Sequence, residues 1–236
     1  MLDKDESIIS HIEAFRLMLL KCIRAVVIMI FPMLFLAPRC LDLFIKLIIK
    51  NNNIALNYFS PAEVFLIQIK VALILDIIIC FPYIAKQLWN FCVSALYERE
   101  RKFVKSIVFA SSILFVLGVL FCLFVILPLV INFGMSFATE NIHAMMGISN
   151  VVNLSFWLIL SFGVMFQIPL ITYSLIKFDI VSYETIKNCR PYVVIILLII
   201  AGILTPPDIV SQIMLFTPNY LLFELGLLFS KCKGKN

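Results

Sequence analysis

The sequence predicts an all-α polytopic integral membrane protein with six transmembrane helices, both termini on the cytoplasmic side and the last two helices short. Three observations carry this: the composition, the spacing of the apolar runs, and the placement of the basic residues. Of the 236 residues, 63% are hydrophobic and 14% charged, and the mean hydropathy is +1.08. A typical soluble domain carries about 25% charged residues. A soluble fold of this size could not cover so much apolar surface, whereas lipid as solvent requires no such cover. In a soluble protein the net charge of +5 would suggest an anionic partner such as nucleic acid. Here the positions of the charges matter more than their sum, and no nucleic-acid partner is expected.

A span needs about 20 apolar residues to cross about 30 Å of hydrocarbon. Six runs qualify or approach this length: 17–37, with Pro32 as an expected kink, then 64–83, 106–128, 151–175, 191–205 and 209–229. Fifteen basic residues fall in or beside the N-terminus, the 84–105 and 176–190 loops and the C-terminal tail, against Arg39, Lys46 and Lys50 in the opposite loops. That bias places both termini inside, in agreement with an even number of spans. The first outer loop, 38–63, holds the amphipathic stretch LDLFIKLIIK (41–50), expected to lie along the outer membrane surface. The second, about 129–150, carries Glu140 and His143 and has room for another short helix.

The last two runs meet at Thr205-Pro206-Pro207-Asp208. This reads as a helix start with Thr as N-cap, Pro in the first turn and Asp208 at the positive end of the helix dipole, hence a tight outer hairpin. Residues 191–205 number fifteen, as do those between Asp208 and Glu224. Fifteen residues reach about 22 Å, less than the hydrocarbon thickness, so either the bilayer thins locally or polar ends enter it.

The start of the chain is acidic and polar, unlike the basic region of a signal peptide, so the first apolar run is expected to be a retained span. Seven scattered cysteines without a CxxC pair, and two distant histidines, predict neither a disulfide framework nor a metal or cofactor site. No internal repeat or low-complexity linker is visible, and 1–236 reads as one domain.

Lys70, Asp76, Gln167 and Glu224 interrupt apolar runs. Such groups are costly at depth and are expected to face protein or a wet cavity, unless they reach the headgroups by snorkelling. Lys70 and Glu224 lie near span ends, where both readings stand. Asp76 is the deepest and has no evident partner in the sequence; Lys70, six residues away, is on a different face. Gln167 sits in FGVMFQIPL (162–170), where it either hydrogen-bonds across helices or faces a polar groove. The inner loop 86–105 places Glu98 and Glu100 among basic residues. Two readings stand there as well: surface ion pairs of little worth, or carboxylates that receive a cationic ligand from the cytoplasm.

The string of motifs HIEAFR (11–16), PAEVFLIQIK (61–70), PYIAKQLWNFCVSALYERER (82–101), FGVMFQIP (162–169), CRPY (189–192), GILTPPDIVSQ (202–212) and FELG (223–226) resembles the TatC family, the polytopic core of the twin-arginine protein translocase. The resemblance covers nearly the whole chain, and it rests on order and spacing, no single motif being decisive. It implies a twin-arginine signal-peptide receptor and scaffold that moves folded proteins across a membrane, driven by the proton-motive force, in a multimeric complex with single-span TatA- and TatB-type subunits. It implies a bacterial inner membrane, with an organellar membrane as the alternative. Carried over to this chain, Glu100 in the YxxER pattern and Phe91 in WxF are the implied signal-binding residues, with Glu98 and Glu13 beside them. Ala14 and Met18 stand where the family's HLxELRxRL pattern has an acid and an arginine. Gln167 matches a polar position on the concave side of the family's fold, and Asp208 the TPPD aspartate of its outer hairpin; Gln167, Glu224 and Lys70 are the expected polar intramembrane or groove positions, and Pro206, Pro207, Asp208 and Gln212 the expected outer hairpin.

Two other classes compete. An intramembrane enzyme would need a nucleophile with its base, a zinc helix or paired aspartates. The spans contain no HExxH or GxSxG and only one deep aspartate, so no enzymatic activity is expected. A small-solute transporter would favour internal repeats and broken helices in both halves; this or another membrane scaffold is the alternative. No phosphate-binding GxxxxGK[ST] loop is present.

Overall fold

The computed structural model describes residues 2–52, 56–58, 60–94, 101–136, 146–178, 180–204 and 209–233. Among them, five helical segments are long and apolar enough to cross a membrane, and a sixth, Arg190–Ile203, is apolar but shorter. Large apolar side chains point outward along these helices, Phe35 being 87% and Ile203 78% exposed. That surface suits lipid and not water.

Helix α1 (Leu2–Asn52) runs without interruption for 51 residues and contains Pro32 and Pro38. The amphipathic stretch 41–50, expected as a separate surface element, is therefore the continuation of the first span. Its packing gives the reason: Ala37, Leu41 and Ile48 are buried, and Ala37 and Leu41 cluster with Ile67, Val71 and Val152. Helix α2 (Pro61–Ser94) returns antiparallel to α1; Cys80 comes near the Ala25 carbonyl and Phe91 meets Phe15 at the far end.

Helix α3 (Arg101–Phe121) passes through a π segment (Cys122–Ile126) into α4 (Leu127–Met135). Pro128 has no N–H for the Phe124 carbonyl, and the wider π turn, closed by Leu127 N–H to the Cys122 carbonyl, absorbs the missing bond. Helices α5 (Ile148–Met165) and α6 (Ile168–Lys177) form one interrupted rod. Pro169 causes this break in the same way, and the Gln167 N–H turns instead to the Val164 carbonyl at 2.9 Å. A two-residue parallel pairing, β1 (Leu56–Asn57) with β2 (Met146–Gly147), ties the connections before α2 and α5 and is an addition to the all-α expectation.

After a short helix α7 (Tyr183–Asn188), α8 (Arg190–Leu204) has fifteen residues, as the sequence predicts. Helix α9 (Ile209–Lys233) follows the expected run 209–229 and extends four residues past it, through both Pro218 and Glu224. The Glu224 carboxylate is satisfied within it by neighbouring side chains.

The core lies between α3 and α5. Phe115 stacks on Phe81 with ring centroids 3.7 Å apart and planes at 10°, and both Phe115 and Phe162 are fully buried. Gly163 lets the helices meet, since a Cβ there would stand 2.6 Å from the Phe115 ring. Gly226 does the same between α9 and α6, where a Cβ would stand 2.7 Å from the Pro169 Cα.

Candidate functional site

Two regions gather the residues singled out by the sequence. The first is the open end of the α1–α2 hairpin, where α1 begins and α2 ends. Phe15 and Phe91 close it, with ring centroids 5.6 Å apart and planes tilted by 54°. Phe91 is half-buried, and Glu13 is exposed two residues before Phe15 on α1. Helix α2 ends at Ser94 and α3 begins at Arg101, the residue bonded to Glu100. Glu98 and Glu100 themselves lie outside the described residues. So do Pro206, Pro207 and Asp208 of the outer hairpin; Gln212 is described, and its Nε2 donates to the Leu198 carbonyl of α8 at 2.8 Å.

The second region is a set of polar contacts within the spans. Gln167 is buried. Its Oε1 accepts from Ser111 Oγ at 2.6 Å, and its Nε2 donates to the Ser111 carbonyl at 3.2 Å and the Gly163 carbonyl at 3.4 Å. Of the two readings left open by the sequence, the interhelical hydrogen bond is the one observed. The proline break frees this position from the regular helix, and α3 supplies the partner.

Glu224 accepts from Arg190 Nη2 at 2.7 Å and from Tyr220 Oη at 2.9 Å, so both carboxylate oxygens are occupied. The pair is partly shielded, with the arginine and glutamate side chains 39% and 24% exposed. Lys70 Nζ donates to Asn153 Oδ1 at 2.8 Å, joining α2 to α5. Asp76 is fully buried. Its Oδ1 accepts from Cys80 Sγ at 3.3 Å, and its Oδ2 has no partner among the described residues.

Sequence reasoning missed every one of these partners. For Glu224 a signal was present: Arg190 and Glu224 are each seventeen residues from Pro207. A tight antiparallel hairpin about that proline brings such mirror positions together. Cys80 also carried a signal, since it lies four residues after Asp76 on the same helix; none marked Ser111 or Asn153, because those contacts depend on how α2, α3 and α5 rotate against each other.

These features define a class: a multi-pass helical membrane protein in which Lys70, Gln167, Gln212 and Glu224 tie neighbouring helices together. The particular family follows from comparison with known proteins. The family model for the Sec-independent protein translocase protein (TatC) matches residues 10–218. The TatC protein of Escherichia coli (strain K12) is 32% identical over 239 residues, covering 98% of this chain and 92% of that protein. The TatC of Haemophilus influenzae (strain Rd) is 31% identical over 238 residues, covering 97% and 90%. A crystal structure of the twin-arginine translocase receptor TatC in DDM superposes with a TM-score of 0.85 at 28% identity, covering 93% of this chain and 99% of that one. The chain belongs to the TatC family, and it is a multi-pass membrane protein of a protein translocase, a transport role.

Proposed function

We propose that this chain is the twin-arginine signal-peptide receptor and core scaffold of a translocase for folded proteins. The observation that carries the reading is the full-length likeness to a solved twin-arginine translocase receptor, together with an acid-bearing segment that leaves the Phe15–Phe91 end of the first hairpin. Glu100 receives the arginine pair, with Glu98, Glu13 and Phe91 around it. A carboxylate meets a guanidinium through short, often bidentate, charge-assisted hydrogen bonds, which an ammonium cannot reproduce. The exposed position of Glu13 leaves it accessible to such a ligand.

In this reading the whole chain is one domain of six spans, with both ends on the basic, cytoplasmic side of a bacterial inner membrane. The fifteen residues of α8 favour locally thinned lipid and docking of single-span TatA- and TatB-type subunits beside it. The proton-motive force supplies the energy, and no covalent chemistry is asked of the chain.

The test is export of a folded reporter carrying a twin-arginine signal, in cells whose own TatC is deleted. The wild-type chain restores export, and Glu100→Ala at equal protein level does not. Full export by Glu100→Ala would refute the site.

A further inference from the structure

The three basic residues on the otherwise charge-poor side, Arg39, Lys46 and Lys50, all belong to α1. Arg39 and Lys46, seven residues apart, occupy one flank of the helix. Arg39 and Lys46 are exposed. Asp42, exposed as well, offsets one charge and leaves residues 39–50 at net +2.

The adjoining face of α1 forms one wall of a groove of about 180 Å³ through Cys40, Leu43 and Leu47; Leu75 and Ile78 of α2 and Ile159 of α5 close the other side. Ser155 also lines it, but its hydroxyl donates to the Val151 carbonyl at 2.6 Å, so the wall stays apolar. The groove lies directly beside the charges, since its lining residues Cys40 and Leu47 follow Arg39 and Lys46 in α1.

We propose that this is a binding site for an anionic phospholipid, with its phosphate on Arg39 and Lys46 and part of one acyl chain in the groove. The dimensions select a chain over a protein helix. A cavity of ~150 Å³ admits a benzene-sized apolar guest, while an α-helix with its side chains is about 10 Å across. The net positive flank selects an anionic headgroup over a zwitterionic one.

The test uses the full chain in nanodiscs containing either phosphatidylglycerol or phosphatidylcholine, each with a photoactivatable diazirine midway along one chain. Labelled peptides are then mapped by mass spectrometry. Phosphatidylglycerol labels the peptides spanning 39–50 and 71–78 about fivefold more than phosphatidylcholine does, and Arg39→Gln with Lys46→Gln brings the ratio to one. The lipid-facing control at Ile199, 57% exposed, labels equally with both lipids. Leu43→Trp, which fills the groove, lowers labelling of 71–78 with either lipid. Equal labelling by the two lipids in the wild type would overturn the proposal. So would an excess that survives the double variant, or an unlabelled groove, the result expected if a protein segment fills it.

Discussion

Helices α1 and α5 are both apolar rods, yet they meet their surroundings differently. In the most apolar window of α1 only 6% of residues are buried, against 39% in that of the α5–α6 rod. Helix α1 packs along α2 and touches α4 near its C-terminal end, while α5 is enclosed by α2, α3, α8 and α9. In water such an exposed apolar helix would collapse onto the protein; in lipid it carries no penalty, because acyl chains are as apolar as leucine. Burial in this chain therefore reports helix-to-helix fixation and not hydrophobic driving force. The α3–α5–α9 block is fixed by glycine contacts and hydrogen bonds. The first hairpin, which carries the candidate receptor end, keeps a broad face for other molecules.

The contrast can be broken at several depths. The largest effect is expected from Gly226→Leu and Gly163→Leu, which force side chains into the Pro169 backbone and the stacked Phe115 ring. Each costs about 1–3 kcal/mol or more, read as a lower Tm in detergent. Val27→Leu on the exposed face of α1 stays within about 0.5 kcal/mol. Next is Glu224→Gln, which leaves Arg190 without its ion pair. The partial shielding sets the loss between the ~1 kcal/mol of an exposed pair and the ~3 kcal/mol of a buried pair losing one partner. Adding Arg190→Gln recovers part of it in a double-mutant cycle. The smallest loss is that of Ser111→Ala. It removes one interhelical donor to Gln167, and such bonds average about 0.6 kcal/mol within membranes.

The spans were legible in the sequence because lipid demands long apolar runs and helical backbone, and composition alone reports both. The extent of α1 was not. The stretch 41–50 shows the amphipathic pattern of a surface helix, but the face with Ala37, Leu41 and Ile48 is claimed by other helices. Glu224 reads in the sequence as a lone charge, whereas Arg190 and Tyr220 satisfy both of its oxygens. The site was legible only through family motifs. Two acids in a basic loop read equally well as surface ion pairs, and periodicity does not distinguish a receptor carboxylate from a solvated one.

The central claim is that the inner end of the first hairpin, through Glu100, holds a pair of arginines. Its most direct measurement is the affinity of a twin-arginine signal peptide for the full chain in nanodiscs, compared with Glu100→Gln and with a peptide in which both arginines are lysines. Loss of a charge-assisted hydrogen bond, worth roughly 1.5–3 kcal/mol, predicts an affinity lower by about tenfold or more for either change, with little further loss when the two are combined. Equal affinity of the wild type and Glu100→Gln for the arginine peptide would contradict the account.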